Sequence, residues 1–175
     1  MEIGPLIKVV LDRNEQYLLP ALDGLSPEQL RKRPTEDSNP IGWLTWHMAR
    51  VMDRMIPAVT GTEQLWLADG WHERFGRGAD PNDRGNGDTP EQVGAFDPVD
   101  VSTLLGYYTA VRRAADTFLD GLTMADLNRP VPDVRGDGTV PLAERLPGLL
   151  VETLQHSGQA AYVRGLVTGK GWMAR

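Results

Sequence analysis

The sequence ETLQHSGQ at residues 152–159 lies inside a long helical pattern that runs from Pro141 to about Thr168. Apolar positions in this pattern recur every three or four residues, as on the buried face of an amphipathic helix. The predicted inward positions are Leu142, Leu146, Leu149, Thr153, His156, Ala160, Val163 and Val167. Glu152 precedes His156 by four residues, which places the two side chains on nearly the same helix face, about 6 Å apart along the axis. Because an unpaired polar group is costly in a core, the pair predicts a shared ligand such as a divalent metal.

Three further stretches have the same helical period. The first covers about residues 4–22 and is expected to bend at Pro20, which cannot donate to the preceding turn. The second opens at residues 39–40 and ends between residues 57 and 61, and the third begins at residues 97–98. Their predicted inward positions are Ile7, Leu11, Leu18 and Leu22; Leu44, His47, Val51, Met55 and Ala58; and Val101, Leu104, Leu105, Tyr108, Val111, Ala115, Phe118 and Leu122.

Almost no segment alternates with the period of two that marks a strand, so the predicted fold is all-α. Four long amphipathic helices with two long connections indicate a four-helix bundle that differs from a simple up-down-up-down order. Capping boxes at residues 26–29 and 89–92 predict two additional short helices. With 175 residues, 41% of them hydrophobic, the chain suits one domain over residues 1–175.

The connection at residues 67–89 is rich in glycine and in charge. A connection of this length is either functional or mobile. Residues 80–88 have almost no apolar side chain to bury, so we expect them to be the part of the chain least protected from proteolysis. His72, in the aromatic segment 71–75, is expected to pack or to lie on the surface, because no other ligand stands at a helical spacing from it.

The composition argues against several classes of function. A net charge of −6 disfavours nucleic acid or an anionic membrane as the main partner, and no apolar run approaches the length of a membrane span. The N-terminus lacks the pattern of a signal peptide, so we expect a cytoplasmic protein. The chain has no cysteine, which excludes disulfides, thiolate ligands and a cysteine nucleophile. Any thiol in its chemistry must therefore come from outside the chain.

His47 interrupts an otherwise apolar stripe, as His156 does. If the second and fourth long helices are neighbours, His47, Glu152 and His156 converge inside the bundle. Two histidines and one carboxylate, with an open position, are the ligands of catalytic zinc and also of non-haem iron(II). The residues leave a second interpretation equally open, in which Glu152 is solvated and His156 is a core histidine bonded to a carbonyl oxygen.

Two neighbouring side chains are further candidates for this site. Arg50 and Gln159 each lie one helical turn beyond a histidine, where they can hold a substrate carboxylate or orient a ligand. Arg50 can equally join a structural network with Asp53 or Glu152. The side chains expected to pack between helices or to lie at the surface are Trp43, Trp46 and Arg164.

Three motifs together resemble the DinB-like superfamily: NPIGWLTWHMARVMD at residues 39–53, GWHERFG at residues 70–76 and HSGQAAYVRG at residues 156–165. The resemblance spans nearly the whole chain and implies a four-helix bundle with a metal-binding triad at one end. Many members carry His-x-x-x-His on the last helix, and here Glu152 stands at the first of those positions.

Glutamate at that position resembles the mycothiol-dependent branch, including the N-terminal domain of mycothiol-dependent maleylpyruvate isomerase, whose zinc site is two histidines and a glutamate. The resemblance assigns that site to His47, Glu152 and His156. The isomerase has a further C-terminal domain without a counterpart in these 175 residues, so its particular reaction is not implied.

The chemistry implied by this resemblance is thiol activation, since zinc in a dry pocket lowers the pKa of a bound water or thiol. We expect transfer of a small external thiol to a small electrophile, or a thiol-assisted isomerisation. Two alternatives stay open: a non-catalytic metal-binding or interaction module, and an iron(II) oxygenase component. A monomer and a homodimer are both compatible with the sequence.

Overall fold

The computed structural model describes residues 2–133 and 136–169. In chain order its helices are α1 (Ile3–Leu22), α2 (Pro27–Arg31), α3 (Ile41–Thr60), α4 (Leu65–Ala68), α5 (Trp71–Arg74), α6 (Pro90–Ala95), α7 (Val101–Asp120) and α8 (Leu142–Thr168). The strands β1 (Pro130–Pro132) and β2 (Thr139–Pro141) form a short antiparallel pair. The predicted all-α class is confirmed, since 66% of the structure is helical. No helix within the described residues is long and apolar enough to span a bilayer.

The bundle consists of the four long helices α1, α3, α7 and α8. Helix α8 packs against both α1 and α3, α3 packs against α7, and α7 contacts α1. The order around the bundle is therefore α1, α8, α3, α7, with α1 lying across from α3 and α7 lying across from α8. This order differs from a simple up-down-up-down bundle, as predicted, and makes α3 and α8 neighbours.

The helix starts agree with the sequence patterns in part. Ser26 and Thr89 each accept a hydrogen bond from the backbone N–H three residues later, so both predicted capping boxes are present. Two long helices begin later than predicted. Pro40 is the N-cap of α3 rather than its first residue. Asp100, rather than a residue at 97–98, caps α7.

Burial follows the predicted stripes in α1 and α8 but extends further in α3. All four predicted positions of α1 are buried. In α3, every residue from 41 to 50 is buried, so burial is not confined to one face. The connection that follows covers the far side of this helix, where Trp46 packs against Trp66 of α4 and Phe96 just after α6. Apolar residues that recur with the helical period identify a single buried face. The prediction from this pattern therefore underestimated how much of α3 is buried.

Residues 80–88, which we expected to be weakly protected, are held against α3 by polar contacts. The carbonyl oxygens of Pro81 and Asp83 accept hydrogen bonds from Arg50 at 3.1 and 2.8 Å. The carbonyl oxygen of Arg84 accepts one from His47. The low protection was predicted from the lack of apolar burial alone. These hydrogen bonds also offset part of the conformational entropy that the segment loses when it is ordered.

Candidate metal centre

The three predicted ligands converge between α3 and α8. Nε2 of His47 lies 3.6 Å from Oε2 of Glu152, and Nε2 of His156 lies 3.2 Å from the same oxygen. One ligand atom of each residue lies within 4.8 Å of those of the other two. Zinc bonds of about 2.0–2.1 Å in a tetrahedral site separate the ligand atoms by about 3.3–3.4 Å. The two measured separations bracket this value, and the remaining pair of ligand atoms lies within 4.8 Å, so the geometry is compatible with one shared ion after the side chains adjust.

Hydrogen bonds at Nδ1, the outer ring nitrogen of each histidine, determine whether the inner nitrogen, Nε2, faces Glu152 with a lone pair. Nδ1 of His47 contacts the carbonyl oxygen of Arg84, which can only accept, so this nitrogen carries the proton. Nδ1 of His156 donates to Oε1 of Gln159 at 2.7 Å. In a neutral imidazole, the other nitrogen then directs its lone pair toward Glu152. Metal-binding histidines are commonly oriented in this way, and the contact of Gln159 fits the ligand-orienting role considered for it.

This arrangement of lone pairs is stable only with a proton or a metal ion between the ligand atoms. Two ring nitrogens and one carboxylate oxygen are all acceptors when both imidazoles are neutral, and acceptors at 3.2 and 3.6 Å repel one another. A proton on one ring can resolve the conflict by forming an ion pair with Glu152. A divalent metal ion can resolve it by accepting all three lone pairs.

His47 is the shielded member of the cluster. Its side chain is 5% exposed, and its ring stacks on Trp43 with centroids 4.8 Å apart. Burial lowers the pKa of His47, because the charged imidazolium loses contact with water. The hydrogen bond to the Arg84 carbonyl opposes this change, whereas the nearby His156 adds to it. A lower pKa favours the neutral imidazole, which is the form that binds metals.

Glu152 lies on the open side of the cluster. Its side chain is 37% exposed, against 13% for His156. It lines a cleft of about 480 Å³ whose walls come from α3, α8 and the connection at residues 84–86. A small molecule can therefore approach the cluster from the carboxylate side, which is the access that a catalytic metal site requires.

Arg50 has a different role from the substrate-binding one considered above. A guanidinium group has five N–H donors, and each of them has an acceptor within the protein. The acceptors are Asp53, Gln64, Tyr107 and the carbonyl oxygens of Pro81 and Asp83. No donor remains for a substrate, so the structure favours the alternative of a structural network with Asp53.

The other candidates lie outside the cluster. Nδ1 of His72 contacts the carbonyl oxygen of Trp66 at 2.9 Å, as expected for a packing residue. Arg164 donates to the carbonyl oxygens of Ala21 and Asp23 near the end of α1. Sequence reasoning missed the contribution of Arg84, which orients His47 through its backbone. A main-chain carbonyl has no signature in the residue type, so no sequence signal was available.

Gly85 allows the connection to approach α3 this closely. It has φ of +79°, and a Cβ atom here would lie 2.5 Å from a ring carbon of Trp43 and 2.9 Å from one of Trp46. We expect Gly85→Ala to destabilise the fold by about 2–4 kcal/mol, from the left-handed backbone and overpacking together. Metal affinity should fall about tenfold, because the adjacent carbonyl of Arg84 would move. Chemical denaturation and a metal titration measure the two effects.

Gly87→Ala is the matched control for this substitution. Gly87 also has a left-handed backbone, with φ of +87°, but a Cβ atom there would meet nothing within 4 Å. We expect a cost of about 1–2 kcal/mol from the backbone alone and an unchanged metal affinity. Equal effects at the two glycines would contradict the packing role of Gly85.

Comparison with known proteins places the chain in a family. It matches the family model of the DinB superfamily over residues 10–160. It is similar to the crystal structure of the conserved protein of locus from Enterococcus faecalis, with a TM-score of 0.86 and 26% sequence identity. That alignment covers 97% of this chain and 99% of the other. A comparison with curated proteins finds no match. Because the family match covers most of the chain and contains all three residues of the cluster, this protein belongs to the DinB superfamily.

Proposed function

We propose that His47, Glu152 and His156 bind one divalent metal ion, zinc, with a coordination position left open. The observation that carries the proposal is the Oε2 atom of Glu152, which lies 3.6 and 3.2 Å from the inner nitrogens of the two histidines. Both outer nitrogens already donate hydrogen bonds to oxygen atoms. Two imidazoles and one carboxylate are an established ligand set of catalytic zinc, whose fourth position is taken by water or substrate.

The proposed reaction is the transfer of a small external thiol to a small electrophile. When bound, zinc supplies an electrophilic centre that stabilises hydroxide or thiolate at neutral pH. The chain contains no cysteine, so the thiol must be a separate molecule, as in the mycothiol-dependent branch that Glu152 resembles. The cleft beside Glu152, at about 480 Å³, lies within the usual size range of small-molecule sites.

The three side chains would contribute differently to such a site. His47 is buried and held on both sides, by Trp43 and by the Arg84 carbonyl, so it would give a fixed ligand position. Glu152 would lower the net charge of the centre by one unit relative to a third histidine. That charge moderates the acidity of a bound thiol, because less positive charge stabilises the thiolate less.

A metal-binding module without turnover is the second candidate function. His47 belongs to α3, whereas Glu152 and His156 belong to α8, so one ion would link two neighbouring helices. Metal binding of this kind stabilises the folded state in proportion to the logarithm of the metal concentration. Zinc would then raise the stability of the protein without any consumption of thiol.

Elemental analysis and a thiol assay separate these functions. Protein purified without chelators and without nickel resin is expected to contain zinc in a molar amount close to that of the protein. Bound iron would favour the oxygenase alternative, and protein that neither retains nor takes up metal would contradict the proposal. The zinc-loaded protein is then expected to consume mycothiol in the presence of a small electrophile. Bound zinc without thiol consumption would favour the module.

A further inference from the structure

The cleft beside Glu152 has a predominantly cationic wall. Its charged lining consists of Arg54, Arg84 and Arg145, with Glu144 and Glu152 as the acidic members. If Glu152 is a metal ligand, its charge is already engaged, and Glu144 is the remaining acidic side chain in the described lining of the cleft. The wall therefore carries an excess of positive charge on the side from which a substrate would approach.

Two of these arginines offer donors to a ligand. Arg54 and Arg84 are half-buried, and within the described residues neither guanidinium group forms a hydrogen bond or an ion pair. Arg50, Arg77 and Arg112, which are also buried or partly buried, each pair with a carboxylate of the protein. Partly buried guanidinium groups lose some of their hydration, so an acceptor beside Arg54 and Arg84 would stabilise them.

The charges of this wall act on one another and on the candidate metal centre. Burial and then the nearby charges of Arg84, Arg145 and Arg50 lower the pKa of Arg54. The carbonyl oxygen of Arg84 contacts Nδ1 of His47. Arg84 is therefore within electrostatic range of both the second arginine and the cluster. The repulsion between such like charges decreases when an anion binds between them.

We propose that Arg54 and Arg84 bind a carboxylate of the molecule whose other end reaches the position between His47, Glu152 and His156. The inference rests on the proposed metal function and adds a substrate class to it, namely a small thiol or electrophile that carries a carboxylate. Guanidinium groups match carboxylates through paired hydrogen bonds. Because the arginines and Glu152 line the same cleft, one small ligand can contact both.

Thiols that differ only in their terminal group test this inference. Thioglycolate, mercaptopropionate and mercaptohexanoate each have a neutral counterpart: mercaptoethanol, mercaptopropanol and mercaptohexanol. Isothermal titration calorimetry with the zinc-loaded protein measures their affinities. In the cobalt-loaded protein, a sulfur-to-cobalt absorption band reports whether the thiol reaches the metal. We expect at least one of the acids to bind about tenfold more tightly than its alcohol.

Arginine variants then test whether the difference in affinity between an acid and its alcohol arises in the cleft. Arg54→Gln and Arg84→Gln should each remove most of the preference for the acid, measured as the ratio of the affinities for the acid and for its alcohol in the same variant. Arg113→Gln, at an exposed position of α7 that does not line the cleft, is the matched control and should keep the preference.

The outcomes separate this inference from the proposed function. Equal affinities for the acids and their alcohols, or a preference that survives both substitutions, would overturn the carboxylate site alone. A protein that binds no metal, or that gives no absorption band with any thiol, would overturn the proposed function and the inference together.

Discussion

The His156→Ala protein is expected to lose tight binding of divalent metal, with its affinity reduced by more than about a hundredfold. Loss of a residue that only orients a metal ligand typically lowers affinity by about 10–100-fold, and His156 would itself be a ligand. The substitution leaves one nitrogen from α3 and one carboxylate from α8, fewer than the three protein ligands of a catalytic zinc site. Competition with a chromogenic chelator for zinc measures the affinity.

His72→Ala provides the control with the same change of residue type. His72 lies outside the cluster, and its Nδ1 atom contacts the carbonyl oxygen of Trp66. We expect this variant to keep the metal affinity of the unmodified protein. If His156→Ala keeps it too, the metal centre proposed at His47, Glu152 and His156 is wrong.

Arg50→Gln is expected to destabilise the fold by about 3–5 kcal/mol, the usual cost of removing one partner from a buried ion pair. Arg50 and Asp53 have side chains that are 0% and 2% exposed, with 3.1 Å between Nη1 and Oδ2. After the substitution, Asp53 would keep its hydrogen bonds from Tyr107 and from the backbone at Leu65 and Trp66, but no positive charge would remain beside it. Denaturant unfolding measures the change.

Arg31→Gln is the matched control for the loss of an arginine from an ion pair. Arg31 pairs with Asp97 at 2.9 Å, but both side chains are largely exposed, at 45% and 61%. Exposed pairs contribute at most about 1 kcal/mol, so we expect a small effect. Similar decreases in the free energy of unfolding for the two variants would show that burial of the Arg50–Asp53 pair does not determine its contribution to stability.

The Arg50 network also connects stability with the proposed metal centre. Arg50 holds the carbonyl oxygens of Pro81 and Asp83, and the next residue, Arg84, supplies the carbonyl that orients His47. The same side chain therefore stabilises the fold and positions the segment that forms one wall of the cleft. Loss of Arg50 should for this reason weaken metal binding without removing any ligand.

Local patterns in the sequence determined the helical class and two of the three residues of the candidate site. Glu152 and His156 share a face because residues four apart on any α-helix do so, whatever surrounds the helix. The long helices were predictable for the same reason, since their apolar positions recur with the helical period. The capping boxes at Ser26 and Thr89 are also local, because each satisfies a backbone N–H only three residues away.

Only the tertiary structure decided which helix faces which. The stripe of α3 indicated that His47 is buried, but an apolar period does not identify the partner, and the arrangement of the bundle brings His47 to 3.6 Å from Glu152. The Arg84 carbonyl that orients His47 comes from a connection 37 residues away in sequence. The role of Arg50 was undecided because, apart from Asp53 on the same helix, its acceptors lie on three other segments, 14 to 57 residues away in sequence. Helical period is a local property of the chain, whereas a site built from several segments depends on contacts that no local pattern encodes.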